Sequence, residues 1–211
     1  MIIRGESEAR EFVARFADAA AIERLERLGD ALAQENECQN LVAKASLDSM
    51  WSRHFADSAQ LLAHVPRETS GPWLDLGTGA GLPGLVIAAL CPDLEVVLVE
   101  SRKLRVAWLE RMINELGLAN CRTEGGRLEL VESFPAGVIS ARAFAPLPKL
   151  LRLSARFSTE RTHWVLPKGR SAAQEVQELP KTLRNMFHVE QSVTDSEAGI
   201  VVGRGKVREK Q

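Results

Sequence analysis

The chain contains no tyrosine, and aromatics are only 5% of its 211 residues, so aliphatic side chains must supply most of a core. Cysteine is scarce too. Cys38, Cys91 and Cys121 are odd in number and far apart, with no C-x-x-C pair and no zinc-type spacing. That excludes a disulfide framework and fits buried thiols in a reducing compartment. His54 has no second histidine or cysteine nearby, so no metal site is expected. No apolar run approaches the roughly 20 residues of a membrane span. The start, Met1–Glu6, lacks the apolar stretch of a secretory leader. Neither sign of charge dominates: 27 Lys and Arg stand against 28 Asp and Glu. This excludes a uniformly basic nucleic-acid coat but leaves room for a local basic face. The expectation is a soluble, cytoplasmic, monomeric protein of ordinary domain size with a small appendage.

What the chain does have begins with helical periodicity. Glu6 to Glu37 carries apolar stripes at Phe12, Val13, Phe16 and at Ile22, Leu25, Leu28, Leu32. This predicts two helices with a break near Asp18–Ala20. The excess of acid there favours a helical cap on the main body over a phosphate-binding arm. Ser46 is the expected N-cap of a short helix that follows. Arg53, His54 and Asp57 share one side of it, and their spacing favours pairing among themselves over facing a site. Residues 1–66 thus read as a helical extension, and 67–211 as the main domain. There, strands expected at 73–76, 94–100, 121–124, 137–140 and 162–166 alternate with helices at 84–90, 103–116, 146–157 and 172–178. Strands near 186–193 and 199–202 close the chain. Such alternation predicts an α/β, doubly wound, mostly parallel sheet.

The densest signal is Trp73–Gly84, WLDLGTGAGLPG. A strand enters a turn with Gly77, Gly79, Gly81 and Gly84, and a helix leaves it. Glycines let the backbone approach a ligand closely, and the helix start offers free N–H groups. Glu100, ending the second strand, is the expected acceptor for ribose hydroxyls. These features fit NAD and S-adenosylmethionine alike. Asp75 favours the second: an acid beside a pyrophosphate is repelled, whereas methionine brings an ammonium group. The string resembles the motif of class I, Rossmann-like S-adenosylmethionine-dependent methyltransferases.

Absences narrow the methyl acceptor. Pyrimidine carbon-5 chemistry needs a cysteine, usually Pro-Cys, but here Cys91 precedes Pro92 on the wrong element. Exocyclic amines usually need an Asp/Asn-Pro-Pro-Tyr/Phe loop, and the corresponding piece is Ser140–Pro146, SARAFAP. An intrinsically nucleophilic acceptor such as guanine N7 remains, where no proton must leave and the protein's task is orientation. Arg142 can serve the methionine carboxylate or a guanine edge. Phe144 can stack on an extruded base or pack in the core. Arg142, Lys149, Arg152, Arg156, Arg161, Lys168 and Arg170 stand against Glu160 alone. With Arg102, Lys103, Arg105 and the tail residues Arg204, Lys206, Arg208 and Lys210, they suit RNA phosphates or simply a solvated face.

Taken together, the chain resembles the RsmG family, also called glucose-inhibited division protein B, over nearly its full length. The resemblance rests on Asn40-Leu41, Arg53–Ser58, Asp75–Gly84, Ser140–Ala145 and Lys168-Gly169. The family usually reads Ser-Arg-Ala-Phe where this chain inserts Ala141. The resemblance implies N7-methylation of one guanine in the 530 loop of bacterial 16S rRNA, with the small ribosomal subunit or its precursor as partner. It implies cofactor contacts at Gly77, Leu82, the Leu128–Glu129 backbone and Arg142, beside Asp75, Gly79 and Glu100 from the motif itself. It turns Arg53–Ser58 toward the site, giving Asn40, Arg53, His54, Asp57, Ser58, Phe144 and Lys168 as RNA-side candidates. An NAD-linked oxidoreductase and a non-catalytic ribosome-assembly RNA binder are the alternatives.

Overall fold

The computed structural model describes residues 2–208. Helix α1 spans Glu6–Val13 and α2 spans Ala19–Glu35. Between them Asp18 caps α2, its Oδ1 accepting from the Ala21 N–H at 2.7 Å. A 3-10 turn, Lys44–Ser49, comes next. Ser46 lies inside this turn and does not cap a helix; its hydroxyl is spent on the Ala43 carbonyl, 2.6 Å away. Residues Trp51–Ala56 are π-helical and run into α3, Asp57–Ala59, and a 3-10 turn, Gln60–His64. Glu6 reaches across to the start of this run, its carboxylate accepting from the Trp51 and Ser52 N–H groups.

The main body alternates as the pattern predicts: β1 Trp73–Leu76, α4 Gly84–Leu90, β2 Val96–Glu100, α5 Lys103–Leu116, β3 Cys121–Gly125, β4 Val138–Ser140, α6 Leu147–Ser154 and β5 His163–Gly169. Then come α7 Ala172–Gln177, α8 Lys181–Arg184, β6 Phe187–Gln191 and β7 Gly199–Arg204. Helix α8 was not foreseen, because four residues are too few to show a period. Gly117 at φ +64° ends α5 in the left-handed conformation. The strand order is β3-β2-β1-β4-β5-β7-β6, with β1 to β5 parallel and β7 antiparallel to both its neighbours. The order reverses between β1 and β4, which opens a crevice at their carboxyl ends.

Successive strand residues face opposite layers. Trp73, Val96, Leu98 and Val138 pack with α1, α2, α4 and α5. Leu74, Leu76, Val97, Ile139 and Trp164 pack with α6 and α7. Leu25, Leu28 and Leu32 of α2 are fully buried in the first of these layers. The N-terminal helices are therefore part of the main core.

Candidate active site

The glycine turn is shaped by an internal acid. Asp75 is fully buried. Its Oδ2 accepts from the Thr78 hydroxyl at 2.5 Å and the Gly84 N–H at 3.0 Å, and its Oδ1 accepts from the Ser140 hydroxyl at 2.7 Å. Ser140 in turn accepts from the Trp73 indole N–H at 2.8 Å. The expectation has Asp75 facing a ligand ammonium; here the fully buried carboxylate ties β1, β4, the turn and the start of α4 together. Burial pushes it up to about 6, against the hydrogen bonds that favour its charge. Gly77 and Gly79 both adopt φ +60°. The Phe144 ring lies on Gly77 so closely that a Cβ there would sit 2.3 Å from it. The Trp108 indole N–H clasps the Ala80 carbonyl at 3.0 Å from the other side.

Beyond the ends of β1, β2 and β3 lies a cavity of about 350 Å³. Gly77, Glu100, Leu128 and Glu129 line it, with Arg102, Arg105, Arg127 and Lys149 around them. Glu100 is buried at its floor. Its Oε2 accepts from the Gly79 N–H at 3.1 Å, and its Oε1 accepts from the Ser101 and Arg102 N–H groups at 2.7 and 2.9 Å. Arg105 stands 3.7 Å from the same carboxylate. An oriented buried carboxylate beside a glycine turn, in a cavity within the range of small-molecule sites, fits an adenosyl group whose ribose offers two hydroxyl donors.

A second cavity, about 920 Å³, opens on the other side of the Ala143–Ala145 segment. Those three residues line both spaces, so they form a common wall. Ala143 holds φ +52°, a conformation costly for a residue with a side chain. Arg53, His54, Asp57, Arg142 and Lys168 line the larger space. Arg53 and Asp57 do not pair with each other, as spacing alone favoured, because both are taken by distant segments. Arg53 stands 3.6 Å from Asp195, and Asp57 Oδ2 is 3.4 Å from Arg142. Asp57 Oδ1 accepts from Gln60 Nε2 at 2.9 Å and from the Thr194 hydroxyl at 2.8 Å. Lys168 Nζ donates to the Ala145 carbonyl at 2.7 Å and meets Glu175 at 3.0 Å.

His54 is buried, and its Nε2 lies 2.9 Å from the Ser46 hydroxyl. The same hydroxyl lies 2.6 Å from the Ala43 carbonyl. Nδ1 has no partner among the described residues. Burial, then the charges of Arg142 and Arg53, lower the imidazole to about 4, so it stays neutral.

With this geometry in place, the comparisons become specific. A family model described as rRNA small subunit methyltransferase G matches residues 21–201. A protein named ribosomal RNA small subunit methyltransferase G from Erythrobacter litoralis is 63% identical over 207 residues, covering 98% of this chain and all of its own. The chain belongs to the rRNA small subunit methyltransferase G family. A family member from Novosphingobium aromaticivorans is 59% identical, covering 89% of this chain and 82% of its own. Among solved structures, a SAM dependent methyltransferase from Aquifex aeolicus superposes with a TM-score of 0.57 at 15% identity, covering 82% of this chain and 98% of that one. At that identity the likeness shows the fold: a Rossmann-like methyltransferase sheet.

Within this family member, Gly77, Glu100, Leu128 and Glu129 meet at the smaller cavity, and Phe144 borders both. Gly79 joins through its N–H bond to Glu100. Leu82 is buried in the core, behind the turn. Arg142 lines the larger cavity and not the smaller one. Ser58 is buried with its hydroxyl on the His54 carbonyl, a purely local role. Asn40 is exposed, one residue before the lining segment Leu41–Ala43. Arg102, Arg105 and Lys149 rim the smaller cavity, Arg142 and Lys168 the larger, and Arg152, Lys206 and Arg208 a separate groove. Lys210 lies outside the described residues. Gln60, Glu175, Thr194 and Asp195 were missed; each is an ordinary polar residue whose role comes only from the segment it meets. Among the described residues no group of acids, histidines and cysteines could hold a metal, and no helix is long and apolar enough to cross a membrane. Cys38 is exposed, contrary to expectation, while burial pushes the Cys121 thiol up to about 12.

Proposed function

We propose that this family member transfers a methyl group from S-adenosylmethionine to N7 of a guanine in the 530 loop of 16S rRNA. One observation carries the reading: the Ala143–Ala145 wall borders both the cavity floored by Glu100 and the larger cavity that holds Arg142. S-adenosylmethionine supplies a methyl on a sulfonium, and its passage to a ring nitrogen requires no proton to be removed. The protein's part is therefore to orient the two partners and to tolerate the charge the base acquires.

Gly77, Glu100 and the Leu128–Glu129 segment hold the adenosyl group, with Glu100 accepting ribose hydroxyls. Asp75 and Gly79 act behind them by fixing the turn. Arg53, His54, Asp57, Arg142 and Lys168 form the RNA side. No general base is required, which agrees with a His54 imidazole that burial lowers to about 4 beside the base cavity. Residues 1–66 serve as one wall of that cavity, and the chain acts as a monomer on the small subunit or its precursor.

Modification mapping of 16S rRNA is the test. Cells lacking this protein are expected to lose one N7-methylguanine in the 530 loop and regain it on complementation. Retention of every such methyl in the deletion strain refutes the reading. Calorimetry showing tight NADH binding without S-adenosylhomocysteine binding would favour the oxidoreductase alternative.

A further inference from the structure

The larger cavity contains three carboxylates: Asp57, Glu175 and Asp195. Glu175 is spent, accepting from the Leu147 N–H at 2.7 Å, the Ser171 hydroxyl at 2.7 Å and the Lys168 ammonium. Asp195 has a side chain 40% exposed beside Arg53, with its Oδ1 accepting from the Glu197 N–H. Asp57 differs from both. Its Oδ1 is clamped by the amide of Gln60 and the hydroxyl of Thr194, which fixes the plane of the carboxylate. Gln60 is itself 2% exposed and held by the Val193 N–H at 2.8 Å, so the clamp is anchored in the core. Among the described residues the other oxygen, Oδ2, has only the 3.4 Å approach of Arg142. Both side chains retain some exposure, 22% for Asp57 and 24% for Arg142. The pair therefore presents to the cavity an oriented acceptor with capacity left, beside a guanidinium whose other donors have no partner among the described residues.

That pairing of one acceptor edge with one donor fork is complementary to guanine. The guanine edge runs from the exocyclic amine through N1–H to O6, two adjacent donors and then an acceptor; adenine presents an acceptor at N1 and would repel a carboxylate there. We propose that Asp57 is the base-reading residue, taking N1–H and the 2-amine on Oδ2 while Arg142 donates to O6. This leaves N7 unobstructed. Methylation at N7 makes the purine cationic and its N1–H more acidic, so a carboxylate on that edge binds the methylated base more strongly than the neutral one. Asp57 thereby favours the transition state as well as selecting the base. The assignment rests on the guanine-N7 reading above.

The test compares small-subunit particles reconstituted on 16S rRNA with guanosine or inosine at the target position; inosine lacks only the 2-amine. Wild-type protein is expected to lose about tenfold in kcat/KM on inosine, since a charged acceptor is left short of a donor. Asp57→Asn should be slow on guanosine and should discriminate little between the two, while binding S-adenosylhomocysteine as the wild type does. If that variant fails to bind S-adenosylhomocysteine, Thr194→Val decides, because it loosens the clamp and should narrow the guanosine–inosine ratio. Equal wild-type rates on the two bases overturn the proposal, as does a variant that keeps the full discrimination. A wild-type protein inactive on both particles overturns the guanine-N7 reading itself, and this assignment with it.

Discussion

Among the ionisable side chains of the site, His54 and Asp75 sit in surroundings that oppose their charge, with opposite consequences for pH dependence. His54 ordinarily titrates near 6.5 and is held at about 4 in the folded chain. Its contribution to stability is fully present above 6.5 and is lost as pH falls through about 4, because the unfolded chain takes up the proton first. Asp75 is raised to about 6 from 3.8, so its contribution is present below 3.8 and lost as pH rises through about 6. The two slopes partly cancel in the wild type. His54→Gln removes one of them and leaves the other. Between pH 6.5 and 4 the urea midpoint of the wild type should fall relative to that of His54→Gln, because only the wild type loses the contribution of the neutral imidazole. Parallel midpoint curves across that range would contradict the burial argument.

At the scale of elements, the Arg142–Pro146 segment is held from below by β5 and α7. Lys168, at the end of β5, donates to the Ala145 carbonyl; Glu175 of α7 accepts from both Lys168 and the first N–H of α6. One carboxylate thus balances a poorly exposed ammonium and satisfies a helix-start donor. Glu175→Ala leaves the Leu147 N–H without its acceptor and the Lys168 ammonium with the Ala145 carbonyl but no counter-charge, and should cost about 1–3 kcal/mol of stability. The measurement is urea unfolding at neutral pH, and an unchanged midpoint would show the strut to be idle. The π-helical run Trp51–Ala56 works similarly on the other wall. Its wider turn carries Arg53 and His54 to the cavity and continues into α3, whose first residue is Asp57.

For the whole molecule, the N-terminal helices and the sheet share one buried layer. Leu25, Leu28 and Leu32 lie in the same cluster as Leu85, Val86 and Ala89 of α4. Removing residues 1–37 would therefore bare a strip of apolar surface on α4 and α5. Such a truncated chain is expected to aggregate or to lose cooperative unfolding, as circular dichroism and sedimentation would report. A soluble fragment with a sharp thermal transition would show the extension to be a separable cap. The same helical region supplies Arg53, His54 and Asp57, so the larger cavity is built jointly by residues on both sides of position 66.

Much of the fold was legible because it follows from short-range rules. Alternating apolar runs and helical stripes set β1, α4 and α5 to the residue, and Gly117 and Pro92 marked where helices stop. The glycine turn and Glu100 announced a nucleoside-type ligand for the same local reason. What the tertiary structure decided were partnerships between distant segments. Asp75 looked like a ligand group because an acid beside glycines is ambiguous in one dimension; only the arrival of Ser140 from β4 and the Gly84 N–H gave it partners inside the fold. Arg53 and Asp57 looked like mutual partners at helical spacing until Asp195, Thr194 and Arg142 took them, from segments more than 80 residues away. Spacing fixes which residues can share a face, whereas hydrogen-bond capacity is settled by whatever the fold brings to that face.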